Sequence, residues 1–244
     1  FKSGAFEAAS KILTDNEALF ATADEKTANA YNFLKGRLAL QNKEYQAAFE
    51  IFTALKDDAR LKSEVQEQIA ALSSALITSA IEANEKQDFV GSATYLYLAY
   101  TIDPEVNKDY LFFAASNSVN GQDYDNALKY YQELKDINYT GITKKYYVTE
   151  VATNEEREVS ETEYNILGKS SDYTSPRMEE TPSKYPEIVK NIALIYAQAG
   201  DQEKAIAAVR EAREENPDDL NLILTEANIY IELDEKDKFK DLMT

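Results

Sequence analysis

The chain has 244 residues, 44% of them hydrophobic, enough for one extended array of elements or two compact domains. Its 44 acids against 26 bases give a formal net charge of −18, the wrong sign for a duplex-binding surface, so nucleic acid is excluded as a partner. With no Cys and no His, thiol, imidazole and ordinary zinc-site chemistry fall away, and no cofactor or metal is expected.

No run approaches the roughly 18 apolar residues that cross a bilayer, so direct membrane insertion is not expected. Zero cysteine suits an oxidising compartment and a reducing one equally. Tyrosine is abundant at 17 with no Trp, while Gly and Pro, at 7 and 5, are as scarce as long helices joined by short turns require.

In chain order, Phe6, Ala9 and Leu13 have the spacing of the second helix of a pair. The next pair carries Gly36, Tyr45, Ala48 and Phe52. Ser63 to Leu72 are about ten extra residues whose pattern runs on into Ile77 and Ile81, which predicts a lengthened helix. Ala80, Phe89, Ala99 and Pro104 mark a second complete pair, with Ser92 where a small Ala is expected. Ala115, Tyr124, Ala127 and Tyr131 mark a third.

From about Ile142 to Tyr185 this pattern stops for roughly 44 residues, far longer than a helix-to-helix turn. Lys144 to Ala152, with Tyr146, Val148 and Val151, and then Arg157 to Ser160, predict a β-hairpin turning at Thr153 to Glu155. Ser160 and Glu163 have capping-box spacing before Tyr164, Ile166 and Leu167, with Gly168 as the stop. Ser170 to Pro182 read as a loop leading to a helix that Pro186 starts.

The pattern returns most clearly in Ala193, Tyr196, Gly200, Ala205, Ala212 and Pro217. Small residues sit where two helices touch, Gly200 ends one helix in a conformation that opposes a side chain, and Pro217 stops the next. Ala227 and Tyr230 open a last pair that stops at Thr244. Three segments follow: 1–141, the insertion 142–185, and 186–244, with net charges of −8, −3 and −7 counted from the sequence. Acidic pairs such as Asp57-Asp58, Glu214-Glu215 and Asp218-Asp219 fit solvated turns better than metal sites.

Over most of its length the chain resembles the tetratricopeptide repeat (TPR) family. The resemblance implies an all-α fold, a right-handed superhelical solenoid of antiparallel helix pairs, here with a β-hairpin-containing insertion. Lys190 to Tyr196, Glu211-Ala212-Arg213, Asn216 to Asp219 and Thr225 to Asn228 resemble TPR proteins of Bacteroidetes-type bacteria, which are commonly exported. That likeness implies a periplasmic or otherwise exported bacterial protein whose signal sequence is absent from this chain. The start at Phe1 and the partial repeats at both ends lead us to expect a piece of a longer protein.

The family also implies a concave wall built from first-helix side chains. The matching positions are Phe33, Arg37, Leu40 and Gln41; Ile77, Ile81, Asn84 and Glu85; Phe112, Ser116, Val119 and Asn120; Lys190, Leu194 and Gln198; and Leu224 and Asn228. Apolar and amide side chains together suit an extended or helical peptide. The competing reading is that Ile77, Ile81 and Phe112 are simply buried. The carboxylate clamp of some family members is not expected, because Lys190 is followed by Leu194 and the earlier pairs are Phe33 with Arg37, Ile77 with Ile81, and Phe112 with Ser116.

The expected function is a non-enzymatic scaffold that binds a protein or peptide through the groove, the insertion, or both. Long insertions cost little closure entropy, so mere decoration is an equal reading of the insertion. One alternative is a self-assembly module of a larger envelope protein, associating through open solenoid ends. The other is a carboxylate glycosidase, which would need a deep pocket with two buried acids about 5 to 10 Å apart.

Overall fold

The computed structural model describes residues 3–20 and 22–243, apart from a few side chains near residue 6 and at position 215. It is mostly helical, at 67%, with thirteen helices and one small antiparallel sheet among the described residues. The chain divides into two compact units, Phe1–Tyr130 and Tyr131–Thr244.

The first unit begins with α1 (Ser3–Asp15) and the short α2 (Glu17–Phe20). Within α1 Leu13 is buried, whereas the side chains of Phe6 and Ala9 lie outside the described residues. Then come α3 (Glu25–Gln41), α4 (Tyr45–Leu55), α5 (Lys62–Glu85), α6 (Phe89–Ile102), α7 (Lys108–Asn120) and the start of α8 (Tyr124–Asp136). From α3 to α7 each helix packs on the next. The lengthened helix is α5, at 24 residues.

Small residues set the distance between helices. A Cβ on Gly36 would stand 2.7 Å from Phe52 Cε1 and 2.9 Å from Ile51 Cγ2, so only glycine lets α3 approach α4 this closely. Phe52, Ala48, Leu72, Leu76 and Ala99 are fully buried in one cluster. Ser92 is also buried, and its hydroxyl donates to the Ala80 carbonyl (2.9 Å), which satisfies the polar atom that an Ala would not bring.

The turns within the helix pairs repeat one design. Residues 42–44, 86–88 and 121–123 join α3 to α4, α5 to α6 and α7 to α8, and the middle residue of each turns left-handed: Lys43 (φ 63°), Gln87 (61°) and Gln122 (59°). The next N–H donates back across six residues, Glu44 to Ala39, Asp88 to Ala83 and Asp123 to Ser118, closing Schellman motifs. In two of these turns the acid also caps the following helix: Asp88 accepts from the Gly91 N–H (2.9 Å) and Asp123 from that of Asn126 (3.3 Å).

The second unit takes the rest of α8, which ends in the same motif at Asn138 (φ 51°). Then come β1 (Lys144–Glu150), β2 (Glu156–Val159), α9 (Glu161–Leu167) and β3 (Tyr173–Glu180). The hairpin β1–β2 pairs Tyr146 with Val159 and Thr149 with Glu156, and α9 starts with the expected Ser160–Glu163 capping box and ends at Gly168.

The loop expected over Ser170 to Pro182 is instead mostly strand. β3 pairs antiparallel with β1, giving the order β2-β1-β3. Two features hid it. Pro176 is tolerated because β3 is an edge strand, and it sits with Ser175 (φ 48°) in a bulge opposite Val148. The strand is also mostly exposed, so it lacks the alternating apolar residues by which strands are read.

The chain closes with α10 (Tyr185–Gln198), α11 (Gln202–Glu215), α12 (Leu220–Glu232) and α13 (Lys236–Leu242). Ala193, Ala205 and Ala212 are fully buried between α10, α11 and α12, with Tyr196 packed beside them. The Schellman turn recurs at Gly200 (φ 80°) and Asp234 (φ 56°), 34 positions apart.

Candidate functional site

The first unit has a groove of about 740 Å³ between α4, α6 and Tyr130 of α8. Helical spacing builds its walls. On α4, Tyr45 and Phe49 stand one turn apart with Gln46 and Glu50 beside them, and on α6 Thr94, Leu98 and Thr101 follow the same face. Tyr95, Tyr97 and Tyr130 complete the aromatic lining.

These rings are held in place. Tyr45 is buried, its hydroxyl lies 2.8 Å from Ser79 Oγ, and its ring meets Tyr95 edge-on at 5.6 Å. Tyr97 stacks on Tyr130 at 4.3 Å with an interplanar angle of 19°. The Lys129 ammonium lies 4.7 Å from the Tyr97 centroid and 5.6 Å from that of Tyr130. Such contacts leave the rings few alternative rotamers, so a ligand meets a preformed surface.

None of the residues expected to form a concave wall lines this groove. On α3, Phe33, Arg37 and Leu40 are half-buried and Gln41 exposed; the Phe33 ring lies 6.1 Å from that of Phe52, with the Arg37 guanidinium over it at 6.0 Å. On α5, Ile77 packs half-buried against the core, Ile81 is 55% exposed, and Asn84 and Glu85 are exposed. Phe112 on α7 is buried and meets Phe113 edge-on, Ser116 and Val119 are half-buried, and Asn120 is exposed.

In the second unit Lys190 and Gln198 are exposed on α10 and Leu194 packs half-buried on the core. On α12, Leu224 is 56% exposed and Asn228 is exposed.

A second opening, of about 380 Å³, lies between α11, α12 and α13 around a buried carboxylate. Glu226 is 4% exposed and accepts from Arg213 (2.5 Å) and from the Tyr230 hydroxyl (2.6 Å); Arg210 Nε donates to that hydroxyl at 3.0 Å. Burial, reinforced by Glu226, pushes the Tyr230 phenol up, with Arg210 opposing. The bonding is closed within the protein and fastens α11 to α12.

Asp58, in the turn before α5, is similarly committed. It accepts from Arg60 Nε (2.9 Å), Arg60 NH2 (2.7 Å), the Arg60 N–H and Asn29 (2.8 Å), and the Arg60 contacts, first of these, hold its carboxyl far below the ordinary range. Among the described residues no group of acids is placed to hold a metal ion, and no helix is long and apolar enough to cross a membrane.

The groove lies mainly on α4 and α6, the second helices of their pairs, whereas the wall expected from the sequence lies on first helices. The available signal was the run Ala93 to Tyr100 in α6, apolar nearly all round with three tyrosines in six positions, in a chain of 17 tyrosines.

No protein-family model matches the chain, and no curated protein does.

Proposed function

We propose that the chain is a TPR-like array of helix pairs that acts as a non-enzymatic scaffold and holds a peptide or protein partner in the aromatic groove of its first unit. The groove itself carries the reading: it is open, preformed and lined by tyrosines, which give large contact area at low entropic cost and keep a polar tip for backbone groups. The repeat reading draws on the recurring Schellman turn and on the buried small residues Gly36, Ala48, Ala193 and Ala205.

A random-peptide phage library panned on the intact chain and on a Tyr95→Leu variant tests it. Enriched clones that bind the parent and lose the variant support the groove. A panning that yields no Tyr95-dependent clone contradicts it.

One observation favours a second reading, self-assembly: Leu220, Leu224 and Ile231 on α12 are 72%, 56% and 60% exposed. Sedimentation of the chain against Leu224→Glu separates the two, since assembly requires a concentration-dependent species that the charge abolishes. A glycosidase has less support. Glu226 is the one buried acid among the described residues, and Arg213 and Tyr230 take its oxygens.

A further inference from the structure

We propose that the aromatic groove selects a basic, extended peptide, seating a guanidinium or ammonium on Tyr95 with Glu44 and Glu50 beside it. The inference rests on the reading that this groove is where a partner docks, and it names the chemistry of that partner.

The charges around the groove point this way. Its two rim acids have no cationic partner among the described residues: Glu44 accepts an amide N–H from Asn42 (3.4 Å) and Glu50 one from Gln46 (2.8 Å). The cations nearby are turned to other tasks. Lys43 Nζ points to Glu82 on α5 at 3.9 Å, and Lys129 lies against the Tyr97–Tyr130 stack.

Lys129 also shows what these rings attract. A tyrosine face carries a negative quadrupole, and an ammonium has settled on it within the range of a cation–π contact. Tyr95 is half-buried, meets Tyr45 in a T-shaped contact and lines the same groove as the uncompensated carboxylates. An arriving cation would therefore meet an aromatic ring and two acids.

The wider field agrees. Residues 1–130 hold 19 acids and 12 bases, a net −7, which steers a basic segment inward and repels an acidic one. A neutral proline-rich segment would gain the rings but leave Glu44 and Glu50 unmatched.

The test uses short fluorescein-labelled peptides of alternating Arg and Ser, of alternating Glu and Ser, and of neutral Pro-rich composition, followed by anisotropy at about 0.05 and about 0.5 M salt. The Arg peptide is expected to bind the parent, more weakly at high salt, and roughly fivefold to tenfold more weakly to Tyr95→Leu, which changes no charge. Tyr95→Phe keeps the ring and should bind like the parent. Glu50→Gln should weaken binding severalfold, and Glu232→Gln, outside the groove lining, should not.

Equal binding by Tyr95→Leu and the parent, with thermal unfolding showing both folded, reduces the effect to diffuse attraction and overturns the proposal. So does absence of Arg-peptide binding. A neutral peptide that binds as tightly and is lost with Tyr95→Leu also overturns the cation preference, yet leaves the docking groove standing. Failure of the groove itself is read separately, from a library panning without Tyr95-dependent clones.

Discussion

In the helix pairs the ordering chemistry is local, recurrent and close to a dense core; in the insertion it is a single sheet held mainly by side chains on its surface. The turns at Lys43, Gln87, Gln122, Gly200 and Asp234 each close the same backbone bonds, and those at Lys43, Gln122 and Gly200 lead into helices that bury Phe52, Tyr131 and Ala205. The sheet buries Val148 and Val159 and otherwise depends on contacts such as the Tyr146 ring against Tyr164 of α9 at 5.1 Å. Its other face is an ion-pair ladder. Arg177 makes two 2.6 Å bonds to Glu156, reaches Glu179, and lies 4.0 Å over the Tyr147 ring.

Buried packing and exposed pairing should therefore fail on different scales. The largest effect belongs to the core of the pairs: Phe52→Ala removes a fully buried ring and is expected to destabilise the first unit by about 3–5 kcal/mol in denaturant unfolding. A loss below about 1 kcal/mol would mean that the core there is looser than described.

Gly36→Ala comes next. The added methyl meets Phe52 and Ile51 inside van der Waals distance, so a cost of about 1–3 kcal/mol should outweigh the better helix propensity of Ala. Stabilisation instead would show that α3 and α4 can part at no cost.

The turns give a smaller effect of opposite signs. Gln122→Gly relieves a left-handed side chain and should raise stability by up to about 1 kcal/mol, while Gly200→Ala should lower it by a similar amount, because a Cβ there meets no atom within 4 Å and only the backbone objects. Thermal midpoints of both variants check the pair of signs.

The smallest effect is expected in the insertion. The Arg177 contact lowers the Glu156 carboxyl and raises the guanidinium. A carboxyl depressed on folding contributes stability that is present above its unfolded value and is lost as pH falls through the folded one. Amide exchange at Tyr147 should accelerate as pH drops below about 4, after correction for intrinsic rates, and Arg177→Gln should remove that acid dependence without moving the unfolding of the first unit. Coupled loss of both regions would contradict the separation.

How legible each region was follows from the same contrast. The long α5, the hairpin β1–β2 and the capped α9 were readable because period, turn residues and the Ser160–Glu163 spacing agree locally. β3 was not, since its pairing with β1 matches Lys144 with Glu180 and Lys145 with Glu179 rather than apolar side chains, and a bulge hides the register. The left-handed turn position was visible only at Gly200; elsewhere Lys, Gln, Asp or Asn occupies it, and in the turns within the helix pairs the recurring clue is the acid that follows, Glu44, Asp88, Asp123, Asp201 or Glu235. The groove is a product of tertiary packing. Tyr45, the neighbours Tyr95 and Tyr97, and Tyr130 come from three separate helices, and nothing local says that they share a wall.

The proposed docking of a partner against these tyrosines can be read out with a single fluorophore. Because the chain has no Trp, a Phe49→Trp variant carries a single indole in the groove wall, and Leu224→Trp carries one on α12. Titrating each with a peptide selected on the parent chain gives the direct reading. The account predicts a saturable blue shift or quench at position 49 and none at position 224; a saturable response at 224 with position 49 silent would contradict it.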